Sequence, residues 1–226
     1  PATLHIASYN TLYMRQPGAY ASCARQMETH HLTLLGLQEA RPRESGVSII
    51  AGGRSNFAVA SSRSTPGGAR GCQLWVNLSA SGGCGESHHY LSSRSISILE
   101  EADRYLLVRL RSVKVYTDVL VAHGPYSGDD RCHAHEFWEA LSSVVNSRPR
   151  FTPTLLAMID ANANVTSGKS RDIEHRQAFV SFLAATGLTE ATGAMTGSAH
   201  QMFRSVECLG AQIDYIAARE QVAVYR

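Results

Sequence analysis

The sequence predicts an α/β or α+β protein with more strands than helices, in which two packed sheets carry helices on their outer faces. Three observations support this prediction. Many short β-rich segments follow one another with Gly- or Ser-rich turns between them, which favours antiparallel hairpins. Apolar runs such as residues 32–40 lack polar alternation, so they need cover on both faces. A few longer segments have the apolar stripe of an amphipathic helix.

The first half of the chain is predicted to contain one helix among many strands. Residues 3–10 alternate apolar and polar side chains, which predicts a strand. Residues 19–31 are predicted to be helical, and residues 32–40 to form a buried strand with a polar end. Further strands are predicted at residues 47–51, 56–61, 71–77, 95–100, 105–111 and 113–122.

The second half is predicted to contain two longer helices and three strands. Residues 129–146 form the first helix, with Ser127 as its N-cap and Asp130 completing a pattern close to a capping box. Its apolar stripe consists of Ala134, Phe137, Trp138, Leu141, Val144 and Val145. Residues 171–186 form the other helix, with Ser170 as N-cap and Gly187 as its stop. Residues 155–160, 212–218 and 222–225 are predicted strands.

The composition predicts a single domain over residues 1–226. The chain has 226 residues, 44% of them hydrophobic, which is enough for one substantial core. Its formal net charge of +2 allows an anionic partner without requiring one. No stretch approaches the roughly 18 apolar residues of a membrane span, and no leader peptide is recognised. The chain begins at Pro1 rather than Met, so we expect a fragment of a longer protein.

The cysteines favour a reducing compartment. They are odd in number and widely spaced, which is not the pattern of a disulfide framework: Cys23, Cys72, Cys84, Cys132 and Cys208. Cys132 with His133 and His135 raises the alternative of a zinc site, but the chain has no C-x-x-C pair. A helix with buried cysteine and surface histidines is the preferred interpretation.

Several predicted strands end in a group that binds metals or transfers protons. These groups are Asn10, Glu39, His123, Asp160 with Asn162, and Asp214. A turn role would explain a lone asparagine. It explains Glu39 less well, because glutamate has little turn preference, and Asp214 lies inside an apolar run where burial requires a partner. We therefore expect these side chains to assemble into one site at an edge of the sheets.

The residue types indicate the chemistry of this site. Carboxylate and amide oxygens without a cysteine partner suit a hard divalent ion, Mg²⁺ or Mn²⁺. A nearby histidine can donate or accept a proton near neutral pH. Together they fit phosphoester hydrolysis, where a metal offsets charge that develops on phosphate oxygens. The sequence contains no G-x-S-x-G elbow, phosphate-binding P-loop, H-E-x-x-H pair or G-x-G-x-x-G fingerprint.

An ordered set of motifs resembles the endonuclease/exonuclease/phosphatase superfamily, which includes deoxyribonuclease I, the apurinic/apyrimidinic (AP) endonucleases and the endonuclease domains of non-LTR retrotransposons. The motifs are Ser8-Tyr9-Asn10, Leu37-Gln38-Glu39, Val121-Ala122-His123-Gly124-Pro125, Ile159-Asp160-Ala161-Asn162-Ala163 and Gln212-Ile213-Asp214-Tyr215-Ile216. The third and the last look most like the retrotransposon branch. The resemblance covers nearly the whole chain and implies a four-layer sandwich of two mixed β-sheets flanked by helices.

The resemblance also implies roles for individual residues. Glu39 would be a direct ligand of Mg²⁺ or Mn²⁺, with Asn10 also at the metal. Asp160 would orient or deprotonate the attacking water, helped by Asn162, which also steadies the phosphate. His123 would face the phosphate as an acid or hydrogen-bond donor. Asp214 would orient a second, catalytic histidine.

Four further residues are candidates for contact with nucleic acid. Arg41 matches a position that contacts nucleic acid in the deoxyribonuclease branch. Arg70, like Arg63, is a candidate for phosphate contact, although a lone arginine is more often a solvated surface residue. Tyr126 follows His123-Gly124-Pro125 and is a candidate for stacking on a sugar or base, with a loop-anchoring role as the alternative.

The sequence departs from the family at its end. Family members close with Ser-Asp-His or a near variant, but no Asp-His dipeptide occurs in this chain. We therefore expect the domain to be C-terminally truncated and to lack its last strand and catalytic histidine. Loss of such a group typically lowers the rate by about 10²–10⁴.

The expected function is Mg²⁺-dependent nicking of DNA by a domain of a retrotransposon polyprotein, with a reverse transcriptase domain downstream. The protein is expected to be a monomer, intracellular and, as a retrotransposon product, nuclear, without a membrane partner. Two alternatives stay open. One is a phosphodiesterase or phosphatase of the same fold that acts on a lipid, an inositol phosphate or an RNA tail. The other is a catalytically impaired relic that binds nucleic acid.

Overall fold

Two mixed β-sheets face each other in the computed structural model. The structure describes residues 4–12, 14–79, 91–126, 131–149, 154–163, 173–190 and 214–219. Within these ranges, the element order is β1, α1, β2–β8, α2, β9, α3, β10 and β11, with a single 3₁₀ turn at Ser93–Ser95 before β6. None of the described helices is long and apolar enough to cross a membrane.

Five of the described strands form the first sheet. Their order across the sheet is β1 (Ile6–Asn10), β2 (Leu34–Gln38), β5 (Gln73–Asn77), β4 (Asn56–Ser61) and β3 (Gly46–Ala51). Strands β1 and β2 are parallel, whereas the other neighbours are antiparallel. The parallel pair brings the carboxyl ends of β1 and β2 to the same edge of the sheet.

Six of the described strands form the second sheet. Their order is β10 (Thr189–Glu190), β11 (Asp214–Ala218), β9 (Thr154–Asp160), β8 (Tyr116–His123), β7 (Tyr105–Arg111) and β6 (Ile96–Ala102). Here β8 and β9 are parallel and the remaining pairs are antiparallel. Each sheet therefore contains one parallel pair next to antiparallel neighbours.

Helices cover the outer face of each sheet. Helix α1 (Ala19–Thr29) contributes Ala24 and Met27 to an apolar cluster with Leu35, Leu37 and Trp75 of the first sheet. Helices α2 (Arg131–Asn146) and α3 (Ile173–Thr186) cover the second sheet with the side chains of Trp138, Leu141, Val145, Phe179 and Phe182. A third apolar cluster fills the space between the sheets. The predicted four-layer sandwich is confirmed.

The two sheets come very close at Gly36 on β2. A Cβ atom at this position would lie 2.7 Å from Sδ and 3.0 Å from Cβ of Met158 on β9. Next to this contact, Gln38 Nε2 donates to Ser8 Oγ at 2.9 Å and to the Met158 carbonyl at 3.2 Å. Because Ser8 is on the first sheet and Met158 on the second, Gln38 joins the two sheets directly.

A buried ion cluster lies at the opposite end of β8. Asp118 is fully buried and accepts hydrogen bonds from Arg109 Nε at 2.8 Å and Arg109 Nη2 at 3.0 Å. Arg148, just after α2, donates from Nη1 to the same carboxylate at 3.0 Å and from Nε to the Val145 carbonyl at 2.9 Å. The cluster thus ties the end of α2 to the second sheet.

The predicted elements agree with the structure apart from their ends and one short strand. Helix α1 ends at Thr29 because His30 caps it and His31 has a left-handed backbone, with φ of 51°. Strand β8 starts at Tyr116 rather than 113, because the Ser112 hydroxyl accepts N–H bonds from Lys114 and Val115 in a turn. The two-residue strand β10 was not predicted, since two residues carry no periodicity.

Several other predictions have definite outcomes. Trp75 and Trp138 are buried as predicted, and α3 ends at Thr186 directly before the predicted stop Gly187, whose N–H donates to the Ala184 carbonyl. Cys23 and Cys72 are free thiols. Other predictions lie outside the described residues: the caps Ser127 and Ser170, the strand at residues 222–225, and Cys84 and Cys208. The side chain of Cys132 is also outside the described part.

Candidate functional site

The carboxyl ends of the two parallel strand pairs lie on the same side of the sandwich. Asn10 at the end of β1 pairs in register with Gln38 at the end of β2, directly before Glu39. His123 at the end of β8 pairs with Asp160 at the end of β9. Asp214, at the start of the antiparallel β11, is also in register with Asp160, although its side chain lies outside the described part. The predicted strand ends therefore meet at one edge.

Asn10 joins the carboxylates of the two sheets. Its Nδ2 donates to Asp160 Oδ2 at 2.7 Å and to Glu39 Oε1 at 3.3 Å. Its Oδ1 accepts the N–H of Leu12 at 3.0 Å, which fixes the orientation of the amide. Asp160 is buried, with 1% exposure, whereas the Glu39 side chain is 21% exposed. Glu39 is therefore the carboxylate that solvent or a ligand reaches first.

His123 and Asn162 complete the cluster. His123 Nε2 lies 3.3 Å from Glu39 Oε1, 3.9 Å from Asp160 Oδ2 and 3.1 Å from Asn162 Nδ2. Asn162 Nδ2 donates to the Gly124 carbonyl at 3.0 Å, and the Asn162 N–H donates to Asp160 Oδ1 at 3.1 Å. Five predicted residues thus form one contiguous site, which we call the carboxylate site: Asn10, Glu39, His123, Asp160 and Asn162.

Burial changes the protonation of the two central groups. It raises the pKa of Asp160, against opposing effects of His123 and of the hydrogen bonds from Asn10 and Asn162. Burial lowers the pKa of His123, more than Asp160 and Glu39 raise it. His123 is therefore neutral at pH 7, and Asp160 is more basic than an ordinary aspartate.

Asn162 sets the tautomer of the neutral His123 ring. Since Asn162 Nδ2 is directed at Gly124 O, the same amide group faces His123 Nε2, and Nε2 accepts when the ring is neutral. The proton then resides on Nδ1, which is buried without a hydrogen-bond partner. In this state the single Nε2 lone pair accepts from Asn162, so no hydrogen lies between Nε2 and Glu39 Oε1, which are 3.3 Å apart. Two acceptors at this distance repel unless a cation or a proton offsets them.

The donor set fits a hard divalent ion. Glu39 and Asp160 provide carboxylate oxygens, whereas the Asn10 amide presents its nitrogen to them and its oxygen to Leu12. Among the residues described, no group of three or more His, Cys, Asp or Glu side chains has the arrangement of a complete metal site. This is compatible with Mg²⁺, which is usually held by one or two carboxylates and takes its other ligands from water and substrate phosphate.

Strained backbone is concentrated around this site. Six described non-glycine residues have positive φ, and five of them flank the carboxylate site: Leu12, Glu39, Arg41, Arg70 and Asn162, with φ between 50° and 62°. Two backbone bonds hold the strained segments together, from Ala40 N to Gly71 O at 2.9 Å and from Arg41 N to Arg70 O at 2.8 Å. Such strain persists only where the surroundings enforce it, and it is frequent at functional sites.

The predicted nucleic-acid contacts occupy different surroundings. Arg41 Nη2 lies 3.7 Å from Glu39 Oε2, so this arginine adjoins the carboxylate site. Arg70 pairs with Asp103 at 2.8 Å and Arg63 pairs with Glu101 at 3.1 Å. Tyr126 is 64% exposed and follows the His123 loop. Arg70 and Arg63 would have to share or exchange their carboxylate partners in order to bind phosphate.

Two supporting residues were not predicted. Gln38 belongs to the Leu37-Gln38-Glu39 motif, in which no role was predicted for this residue, and it links the sheets beneath the site. Arg104 donates from Nη1 to the Gly124 carbonyl at 3.0 Å, and its own carbonyl accepts the N–H of His123 at 2.8 Å. Arg104 thus positions the loop that carries His123. Its place at a turn before β7 gave no sequence signal that separates it from a surface arginine.

Comparisons with known proteins agree with this architecture. No protein-family model and no curated protein sequence matches the chain. The endonuclease domain of TRAS1, a telomere-specific non-LTR retrotransposon, is similar in structure, with 15% identity and a TM-score of 0.60 over 97% of this chain and 86% of that one. AP endonuclease LMAP from Leishmania major is similar at 12% identity and a TM-score of 0.63, over 96% and 79%.

A third solved structure is an endonuclease/exonuclease/phosphatase family protein from Leptotrichia buccalis C-1013-b. It is 12% identical with a TM-score of 0.60, over 96% of this chain and 88% of that one. At these identities the likeness shows a shared fold. The chain therefore has the endonuclease/exonuclease/phosphatase fold that the sequence motifs implied.

Proposed function

We propose that this chain hydrolyses phosphodiesters with the help of a divalent metal ion and that its substrate is DNA, which it nicks. The observation that carries the proposal is the convergence of Glu39, His123, Asp160 and Asn162 on one edge of the sandwich, with Asn10 between the two carboxylates. A buried carboxylate, an accessible carboxylate and a neutral histidine can hold a metal ion and transfer protons during phosphoester hydrolysis.

Glu39 and Asp160 would hold the metal ion, Mg²⁺ or Mn²⁺, which supplies positive charge to offset the charge that develops on the phosphate oxygens. Asp160 would also orient the attacking water and accept its proton. Asn162 would keep Asp160 in place through its N–H and steady the phosphate. His123, once protonated at Nε2, would donate to a phosphate oxygen or to the leaving oxygen.

The finer parts of the proposal concern substrate and context. The motifs that resemble the retrotransposon branch support DNA as the substrate, and the similarity in fold to the TRAS1 endonuclease domain is compatible with it. We infer a polyprotein context with a reverse transcriptase domain downstream, and a nuclear location. Asp214 would contribute a further carboxylate from its register position opposite Asp160.

A nicking assay on supercoiled plasmid tests the proposal. The wild-type chain should convert supercoiled to open-circular DNA in Mg²⁺ or Mn²⁺ and lose this activity in excess EDTA. Glu39→Gln should lower the rate by about 10² or more, because a metal-binding carboxylate is lost. Glu44→Gln is the matched control, since Glu44 is an exposed glutamate five residues further along the chain. Equal rates for both variants would rule out the carboxylate site as the reaction centre.

A phosphodiesterase acting on another substrate is the second candidate, favoured by the net charge of only +2. The same preparation can be assayed with bis(p-nitrophenyl) phosphate. Hydrolysis of this small diester without any plasmid nicking would replace DNA with a small phosphodiester as the substrate.

A further inference from the structure

A second charged feature lies beside the carboxylate site. It is an open cleft of about 400 Å³, which we call the arginine cleft, and its polar lining includes Arg15, Arg43, Arg63, Ser45, Ser64 and Thr65. The residues that line it include three guanidinium groups and three hydroxyl groups but no carboxylate. A cleft with this lining attracts anions, and guanidinium groups fit phosphate especially well.

Arg15 is held in place before any ligand arrives. Its Nε donates to the Arg41 carbonyl at 2.7 Å, and its Nη2 lies 3.5 Å from the Pro42 carbonyl. Its Nη1 packs against Gly68, where a Cβ atom would be only 2.8 Å away. Because its described partners are neutral carbonyls, the positive charge of Arg15 is not offset by them. A fixed guanidinium loses little side-chain entropy when it binds an anion.

Arg43 and the opposite wall complete the cleft. Arg43 is exposed and makes no hydrogen bond or ion pair with the part of the chain that the structure describes. Arg63 contributes a third guanidinium, which is shared with Glu101. The wall from Ser64 to Gly68 is fixed by a hydrogen bond from Gly68 N to Thr65 O at 2.7 Å and by Ser64 Oγ, which donates to Pro42 O at 3.0 Å.

The arginine cleft and the carboxylate site share one chain segment. Arg43 follows Glu39 by four residues, so their backbones are at most about 14 Å apart even when fully extended. Between them, Arg41 offers its carbonyl to Arg15 in the cleft and its guanidinium to Glu39. An anion in the cleft would therefore lie within a few nucleotides of a phosphodiester at the carboxylate site, since successive charges on one strand advance by about 3.4 Å along the helix axis.

We propose that the arginine cleft binds a second backbone phosphate of the same polynucleotide whose phosphodiester is cleaved at the carboxylate site. This inference rests on the proposed function and deepens it. It favours a polynucleotide over a small diester with a single phosphate, because only a substrate that carries a further phosphate can occupy both places. The recognised group is the backbone phosphate, which DNA and RNA share.

The test measures binding in EDTA, so that it does not depend on catalysis. Fluorescence anisotropy gives the Kd of a short labelled DNA duplex and of an RNA strand of equal length at several salt concentrations. Arg43→Gln should weaken binding of the preferred probe by about tenfold and reduce the slope of log K against log salt by about one. Ser45→Glu, which brings a negative charge into the cleft, should also weaken binding. Arg94→Gln is the matched control, since Arg94 is an exposed arginine in the 3₁₀ turn before β6, at the opposite end of the second sheet from His123.

The outcomes separate this inference from the proposed function. Weaker binding by both cleft variants, with Arg94→Gln unchanged, supports the cleft whether or not the plasmid is nicked. Wild-type affinity in both cleft variants, each with a wild-type melting temperature, overturns the cleft while leaving metal-dependent nicking intact. An equal loss in Arg94→Gln would also overturn it, because the effect would then be one of net charge only. Tighter binding of the duplex or of the RNA strand identifies which polynucleotide supplies the phosphate.

Discussion

The Nδ2 atom of Asn10 lies 2.7 Å from Oδ2 of Asp160, although the two residues are 150 positions apart and belong to opposite sheets. The same nitrogen lies 3.3 Å from Oε1 of Glu39. One neutral amide thus stands between two carboxylates, where it offsets part of their repulsion. This relationship links the stability of the metal-free protein to the arrangement of the candidate site.

Asn10→Asp should destabilise the metal-free protein by about 2 kcal/mol or more. The variant replaces a donor with a third carboxylate beside two others, and an unsatisfied buried acceptor is costly. Added Mg²⁺ should restore more of the melting temperature in the variant than in the wild type, because a cation offsets the added charge. Thermal melting in EDTA and in Mg²⁺ measures both effects. Asn56→Asp is the control on an exposed strand position; equal melting curves for the two variants would contradict the prediction.

Gly36→Ala should lower the free energy of unfolding by about 1–3 kcal/mol, since the new methyl group would overlap Met158 between the sheets. Urea denaturation measures the change. Nicking by the folded variant should also fall, because β2 carries Glu39 and β9 carries Asp160. Gly53→Ala is a suitable control, as its Cβ would have only one neighbour, Glu28 Oε2 at 3.7 Å. If both variants unfold at the wild-type urea concentration, the close approach of the sheets at Gly36 is not a constraint.

Asp118→Asn should cost about 3–5 kcal/mol of stability, because it leaves Arg109 and the buried Arg148 without their shared carboxylate. Asp103→Asn removes a partly exposed pair with Arg70 and should cost about 1 kcal/mol or less. Urea denaturation of the two variants gives the comparison. A smaller loss for Asp118→Asn than for Asp103→Asn would show that the buried cluster contributes little to stability.

The stability of the metal-free protein should fall as the pH is lowered through 6.5, in part because of His123. Burial lowers the pKa of this histidine below its ordinary value of 6.5, so below that pH the unfolded chain binds a proton that the folded protein resists. The contribution of His123 to the free energy of unfolding is close to zero well above pH 6.5. It becomes unfavourable as the pH falls from 6.5 towards the pKa of His123 in the folded protein. His123→Asn should therefore show a shallower loss of stability than the wild type.

Unfolding free energies at several pH values in EDTA check this sign. Asp160 acts in the opposite direction, because burial raises its pKa and stability falls as the pH rises above the ordinary value of 3.8. The comparison of His123→Asn with the wild type separates the effect of His123 on stability from that of Asp160, which both proteins retain. His135→Asn, which removes an exposed histidine on α2, serves as the matched control. A His123→Asn curve parallel to the wild type would mean that His123 is not held neutral by burial.

The strands and helices whose apolar side chains follow a regular pattern along the chain could be predicted from the sequence. Strands β2, β4 and β9 are continuous apolar runs, and α2 has an apolar stripe that the structure buries, so their type and approximate ends follow from pattern alone. The convergence of Glu39, His123 and Asp160 was also predictable, because several apolar strands end in groups that bind metals or transfer protons and their order resembles that of one known family.

Features that depend on tertiary contact could not be predicted. The strand β10 exists only because Thr189 and Glu190 pair with β11. The direction of the Asn10 amide depends on the N–H of Leu12, and the roles of Gln38 and Arg104 depend on carbonyls far along the chain. Arg15 and Arg43 are single arginines in loops, and only the folding of residues 62–68 against residues 39–45 shows that they share a cleft.

The two sheets meet at Gly36 and Gln38, and each sheet carries part of the carboxylate site. Glu39 follows a strand of the first sheet, whereas His123 and Asp160 end strands of the second. A relative shift of the sheets by roughly the length of one hydrogen bond would therefore separate these side chains while each sheet stayed folded. Plasmid nicking should then be lost at a lower denaturant concentration than the circular-dichroism signal of the secondary structure. Loss of activity would therefore detect a shift between the sheets before the protein unfolds.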